Sequence, residues 1–180
     1  MRARTKIHIA ITIAVMAFIF LQSALPGDLS GAESGLLVNI LHEITGIDPN
    51  ILSVLVRKIA HFTEYMILGI CLQKNADDWR DNADRSNSNA RSSNSNTGDC
   101  NNARTNSDKA YGSALAIKYS LYAWAAGAIY SVTDEIHQMF VPGRACAPLD
   151  MLIDSAGVAA GVIIAGMMAN RMANNKNNKH

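Results

Sequence analysis

Four stretches of this sequence are too long and too apolar to lie on the surface of a water-soluble domain. They are IHIAITIAVMAFIFLQSAL (7–25), ILSVLVRKIAHFTEYMILGICL (51–72), ALAIKYSLYAWAAGAIYSVT (114–133) and LDMLIDSAGVAAGVIIAGMMA (149–169). A helix crosses a hydrocarbon core with about 20 residues, and in lipid its backbone groups are satisfied within the segment. The expected fold class is therefore an all-α membrane protein, a four-transmembrane-helix bundle. The first and last runs are the clearest, because the middle two carry charges. A mean hydropathy of +0.06 and a net charge of +1 conceal this pattern. They average the apolar runs with one very polar stretch.

That polar stretch is NADDWRDNADRSNSNARSSNSNTGDCNNARTNSDKA (75–110). It holds too few large apolar side chains to offset the entropy of ordering, so a disordered insert is expected there. The chain then divides into a first half of the membrane domain (1–74, helices 1 and 2), the insert (75–110), a second half (111–170, helices 3 and 4) and a polar tail (171–180). The basic residues are dispersed among acids, which argues against a nucleic-acid partner. Cys71, Cys100 and Cys146 share no CxxC or metal-ligand spacing and read as unpaired thiols.

Loop charge sets the expected topology. Arg2, Arg4 and Lys6 precede the first run, and Lys74, Arg80, Arg85, Arg91, Arg104 and Lys109 lie in the insert region. Arg171, Lys176 and Lys179 follow the last run, whereas loop 26–50 has no Lys or Arg. The positive-inside rule puts both termini and the insert in the cytoplasm, with Arg144 the one basic exception outside. The first run resembles a signal peptide in its basic start, but it is long and lacks an A-x-A cleavage site, so retention is expected. Within loop 26–50, Ser30 and Glu33 have capping-box spacing. Leu36, Leu37, Ile40, Leu41 and Ile44 recur at helical spacing, and Gly46 is a plausible stop. This helix, too short to span, is expected to lie at the outer interface. Asp48 and Pro49 then cap and start the next helix. Ala123, Gly127 and Ser131, like Gly157 and Gly161, form small-residue faces that allow close helix packing.

The second run holds Arg57, Lys58, His61 and Glu64, with Tyr65 on the same broad face. Lys58 to Glu64 fall about 13 to 22 Å along the helix at 1.5 Å per residue. A charge at mid-span costs roughly 2.5–3.5 kcal/mol on insertion scales, so the stripe has to face protein or water. Partners are expected at the same depth. Asp134, Glu135 and Gln138 close the third run, Asp150 and Asp154 open the fourth, and Arg144 lies between them. The inner halves of the runs hold almost no polar groups, so the polar pocket is expected on the outer side alone. Snorkelling of Arg57 and Lys58, capping by Asp150 and a purely structural salt-bridge network are the competing readings.

These residues resemble the VanZ-like family of bacterial membrane proteins. The likeness rests on FLQSALPGDLSGAESG (20–35), RKIAHFTEYMILG (57–69) and YSVTDEIHQMFVPGRACAPLDMLIDSAG (130–157). It covers most of the chain outside the insert. Asp154 stands where the family often has Asn, and the insert is longer than its usual connection. The resemblance implies a multi-pass plasma-membrane protein of the bacterial cell envelope. The family takes its name from a gene associated with lowered sensitivity to the glycopeptide antibiotic teicoplanin, and no agreed reaction accompanies that name.

Three functions compete. In the first, Arg57, Lys58, Gln138 and Arg144 bind an anionic envelope lipid or lipid-linked precursor at the outer leaflet. In the second, the protein is an enzyme on such a substrate. His61, Glu64 and Asp134 then form an acid–base set, and Asp134, Glu135, Asp150 and Asp154 hold Mg²⁺ or Mn²⁺. Proton-coupled transport ranks third, since the polar groups stop halfway across. Oligomeric state is not legible.

Overall fold

The computed structural model describes residues 3–24, 27–94, 106–142 and 147–177. They form five helices and, among the described residues, no strand: α1 (Ala3–Ser23), α2 (Gly27–Thr45), α3 (Pro49–Asn94), α4 (Asn106–Gln138) and α5 (Pro148–Asn177). The all-helical expectation holds. Two of the helices, Ala3–Ser23 and Pro148–Met172, are long and apolar enough to cross a membrane. α3 and α4 fall short of that measure because each interleaves charged residues with its apolar ones.

Local chemistry explains the boundaries. α2 starts at Gly27, before the capping-box serine, and ends against Gly46. Gly46 has φ +68°, and its N–H donates to the His42 carbonyl (2.8 Å). Only glycine adopts that left-handed geometry without cost, so it closes the helix. Asp48 caps α3 as the sequence predicts: its Oδ1 accepts from the Asn50 N–H (2.8 Å), with Pro49 first in the helix.

The largest departure from the sequence reading lies in 75–110, expected to be disordered. Residues 75–94 continue α3, and 106–110 begin α4. The rest of the stretch, with Cys100, lies outside the described residues. Helix persists past residue 74 because α1 supplies polar partners. Asn75 Nδ2 donates to Thr12 Oγ1 (2.6 Å), and His8 Nδ1 bonds Asp78 Oδ2 (2.8 Å). Arg4 Nε adds a longer ion pair to Asp78 (3.7 Å). No proline or glycine interrupts 73–94. This second polar layer also corrects the expectation that one end of the bundle is nearly free of polar groups. Thr5, Thr12, Gln73 and Asp78 are all buried there.

α3 is the hub and packs on each of the other four helices, most extensively on α5. Ser23 meets Asp134 and Met16 meets Tyr130, so α1 and α4 run parallel, while Thr12 meets Asn75 and His8 meets Asp78, so α1 runs antiparallel to α3. α5 runs alongside α3 in the same direction, since Lys58 meets Asp150 and Met66 faces Gly161. The core comprises Ile19, Tyr65, Leu68, Ala76, Ala123, Val158 and Val162. Around it, Ile11, Phe18, Ile129, Leu152 and Ile163 point outward and exposed. A bundle with carboxylates inside and aliphatics outside is built for an apolar surrounding.

The α3–α5 contact depends on backbone-to-backbone approach. A Cβ on Gly161 would fall on the Met66 carbonyl oxygen, and one on Gly157 would sit 2.5 Å from the Phe62 carbonyl oxygen. Gly166, one turn further along α5, faces open space. Gly161→Ala is therefore expected to destabilise by about 2 kcal/mol or more through overpacking. Gly166→Ala should be neutral to stabilising by about 1 kcal/mol through helix propensity. Unfolding titrations in mixed detergent micelles measure both.

Candidate functional site

The site lies where α1 ends and α5 begins, around the last turns of α4. Asp134 and Glu135 are adjacent in sequence and therefore about 100° apart around the helix. Both are nonetheless only 2% exposed, so α4 is enclosed on two sides at this level. Asp134 faces α1 and α3. Its Oδ2 accepts from Ser23 Oγ (2.7 Å), Tyr65 OH (3.1 Å) and Gln138 Nε2 (3.1 Å). Glu135 faces the start of α5, where its Oε1 accepts from the Ala147 N–H (2.8 Å). This bond satisfies a backbone donor just before the first turn of α5.

Asp154 completes the acidic group. It is also 2% exposed, and its electrostatic neighbours are Asp134, Glu135, Asp150 and Glu64. Asp134 Oδ1 and Asp154 Oδ1 are buried without a hydrogen-bond partner among the described residues. A buried carboxylate oxygen left so is costly, of order 1–3 kcal/mol. Next to this group Ser131 Oγ lies 3.3 Å from Ser155 Oγ, and His137 stacks on Phe20 at 4.4 Å between ring centroids.

The structure thus gathers most of the residues singled out from the sequence, with changed roles. Lys58 forms an ion pair with Asp150, so its ammonium is already engaged. Arg57 is half-buried on α3 and makes no ion pair with a described residue. His61 and Glu64 are half-buried on the same helix. Arg144 lies outside the described residues, as does Cys146. Gln138 donates to Asp134 and, at 3.4 Å, approaches Ser23 Oγ. The proposed Mg²⁺ or Mn²⁺ set is not assembled: among the described residues no group of three or more His, Cys, Asp or Glu side chains has metal-holding geometry. Asp134 and Glu135 face different neighbours, and Asp150 is turned to Lys58, which keeps the four acids from one focus.

Two participants were not assigned from sequence. Tyr65 lies on the recognised stripe but becomes a donor only when α4 arrives opposite it. Ser23, at the end of an apolar run, shows no pattern of its own. Its proximity to the Pro26–Gly27 exit is the one available signal.

Geometry and composition together describe a helical membrane protein with an acid-rich polar cluster buried in its bundle. A model of the VanZ/LLP1 family matches residues 8–169, and the chain belongs to that family. No curated protein and no solved structure matches it.

The Asp134 node should behave as a coupled unit. Tyr65→Phe is expected to cost about 1–2 kcal/mol of unfolding free energy, as for a hydrogen bond to a carboxylate. In an Asp134→Ala background the same change should cost less by at least about 0.5 kcal/mol. A double-mutant cycle in detergent checks this. Additive penalties would show that the two side chains act independently.

Proposed function

We propose that the chain is a four-span plasma-membrane protein of the bacterial cell envelope, with both termini and the segment between α3 and α4 in the cytoplasm. In this reading the Asp134 cluster lies at the outer leaflet. It binds the polar head of an envelope lipid or a lipid-linked envelope precursor. Three features support the topology. α1, α3, α4 and α5 alternate in direction, basic residues concentrate at the ends carrying the termini, and α2 packs on α3 with Leu36, Leu37, Ile40 and Ile44 exposed. That apolar face suits the membrane interface.

The observation that carries the binding reading is the buried group Asp134, Glu135 and Asp154, with one oxygen each on Asp134 and Asp154 lacking a hydrogen-bond partner among the described residues. Ionisable groups inside a membrane bundle are expensive and are characteristic of functional sites. Such a group receives hydroxyl or ammonium donors of a head group. Arg57 meets the phosphate of the same head group, with Arg144 in the neighbouring connection as a second cation. Lys58 is less available, being paired with Asp150. A protein that holds an envelope precursor changes what a glycopeptide antibiotic encounters, which fits the family's association with teicoplanin. The acid–base reading of His61, Glu64 and Asp134 uses the same pocket and differs in leaving the ligand chemically altered.

Two measurements test the proposal. Lipids co-purifying with wild-type protein, read by mass spectrometry, are expected to include one phosphate-bearing envelope lipid enriched at least fivefold over the membrane extract. Its enrichment should fall to less than half in Asp154→Asn and in Arg57→Gln. A profile indistinguishable from bulk membrane would remove the binding reading, and an altered head group would favour the enzyme. For topology, single cysteines introduced at Glu43 and Lys176 in a Cys-free background should react with an impermeant maleimide on intact cells at position 43 only. Labelling at both positions, or at 176 alone, would overturn the four-span arrangement.

A further inference from the structure

A second feature lies at the opposite end of the bundle, near the chain termini. α3, α4 and α5 enclose a groove of about 520 Å³. This lies within the ~300–1,000 Å³ range of small-ligand sites. One end is apolar, lined by Leu121, Trp124, Val162 and Ile163. Leu121, Trp124 and Ile163 are also 41–59% exposed, so the groove opens sideways toward whatever surrounds the helices. In a membrane that surrounding is acyl chain.

The other end is charged. Asp77 and Arg80 line it, one turn apart on α3 beyond the apolar run, with Asp77 Oδ1 3.4 Å from Arg80 Nη1. Their side chains are 23% and 27% exposed, so both remain within reach of a ligand. Gln73, buried at 2%, donates from Nε2 to Asp77 Oδ1 (3.0 Å) and orients the carboxylate. Arg80 does not neutralise Asp77 fully, because it is shared with Asp81 (3.7 Å). Burial pushes the Asp77 carboxyl up, and Arg80 and Gln73 pull it only partly back. Asp78 is met by Arg4 and His8 of α1, so the charged groups lining the groove are one carboxylate and one guanidinium, Asp77 and Arg80. A carboxylate and a guanidinium side by side suit a ligand that brings a cation as well as a phosphate.

We propose that this groove binds a phospholipid whose head group carries a primary ammonium. The ammonium donates to the Asp77 carboxylate, the phosphate takes the Arg80 guanidinium, and one acyl chain lies along Leu121, Trp124, Val162 and Ile163. The charge pattern discriminates between head groups. A glycerol head brings no cation to Asp77. A choline head adds a cation without N–H donors and forgoes the charge-assisted hydrogen bond, which is the stronger kind. An ammonium head supplies both. The site is separate from the Asp134 cluster, which lies at the other end of α3 and α4.

Native mass spectrometry of the full-length protein in detergent, titrated with phosphatidylethanolamine, phosphatidylcholine and phosphatidylglycerol of one acyl composition, tests the proposal. The wild type should retain phosphatidylethanolamine at least fivefold more than either competitor. Asp77→Asn keeps the volume and the bond to Gln73, and should reduce that preference below twofold. Gly166 lines the groove, and a Cβ added there meets no neighbouring atom within 4 Å. Gly166→Phe should therefore plug it and lower retention of all three lipids at least threefold. Equal retention of the three lipids by wild type, an undiminished preference in Asp77→Asn, or full retention in Gly166→Phe would each overturn the assignment. If Gly166→Phe does not fold, the wild-type and Asp77→Asn titrations decide the question.

Discussion

A carboxylate inside a helical bundle has to be met by donors from neighbouring helices, and Asp134 imposes that condition here. Its Oδ2 collects the hydroxyls of Ser23 and Tyr65 and the amide of Gln138, so α1, α3 and α4 meet at one atom. Sliding any of these helices by one turn would move a donor by about 5.4 Å and leave the carboxylate without it. The penalty for an unmatched polar group is steep in an apolar surrounding. One residue therefore fixes the register of three helices. Glu135, next along α4, ties the same turn to the start of α5 through the Ala147 N–H.

The α3–α5 pair provides the complementary constraint. Gly157 and Gly161 let the α5 backbone rest against the carbonyls of Phe62 and Met66, and Gly69 does the same from α3 toward Val158. In lipid, where apolar side chains gain little by leaving one hydrocarbon for another, such close approach supplies dispersion contact that Leu-on-Leu packing does not. Between these two devices lies a small apolar core around Tyr65, Leu68 and Val158. Polar layers lie on either side of it. The acid cluster caps one end, and the Thr12, Asn75, His8 and Asp78 group caps the other.

The two polar layers were unequally legible. The acid cluster could be read because Glu64, Asp134 and Asp154 interrupt runs that are otherwise apolar, where an ionisable residue stands out. The second layer was hidden because most of its α3 members, from Asn75 to Arg80, belong to a stretch whose composition reads as disordered. Composition measures the apolar area a segment can bury by itself. It does not register that His8 and Thr12, on a helix distant in sequence, offer hydrogen bonds at matching intervals. Among the described residues the four acids of the metal reading do not form one ligand group, for a related reason. Four acids close in sequence look like a ligand set, but the 100° step between Asp134 and Glu135 and the engagement of Asp150 by Lys58 direct them to different neighbours.

From sequence alone followed the helical class, the Gly46 stop, the Asp48–Pro49 start, the small-residue face of α5 and the family membership that residues 8–169 bear out. These depend on local backbone preference, or on spacing along a single helix, and both are written in the order of residues. Tertiary structure decided the rest. It made Ser23 and Tyr65 partners of Asp134, turned Lys58 toward Asp150, extended α3 to Asn94 and opened a groove between α3, α4 and α5. Each of these joins groups far apart in the chain. Their meeting depends on helix rotation and register, which packing and polar satisfaction set together and no single segment encodes.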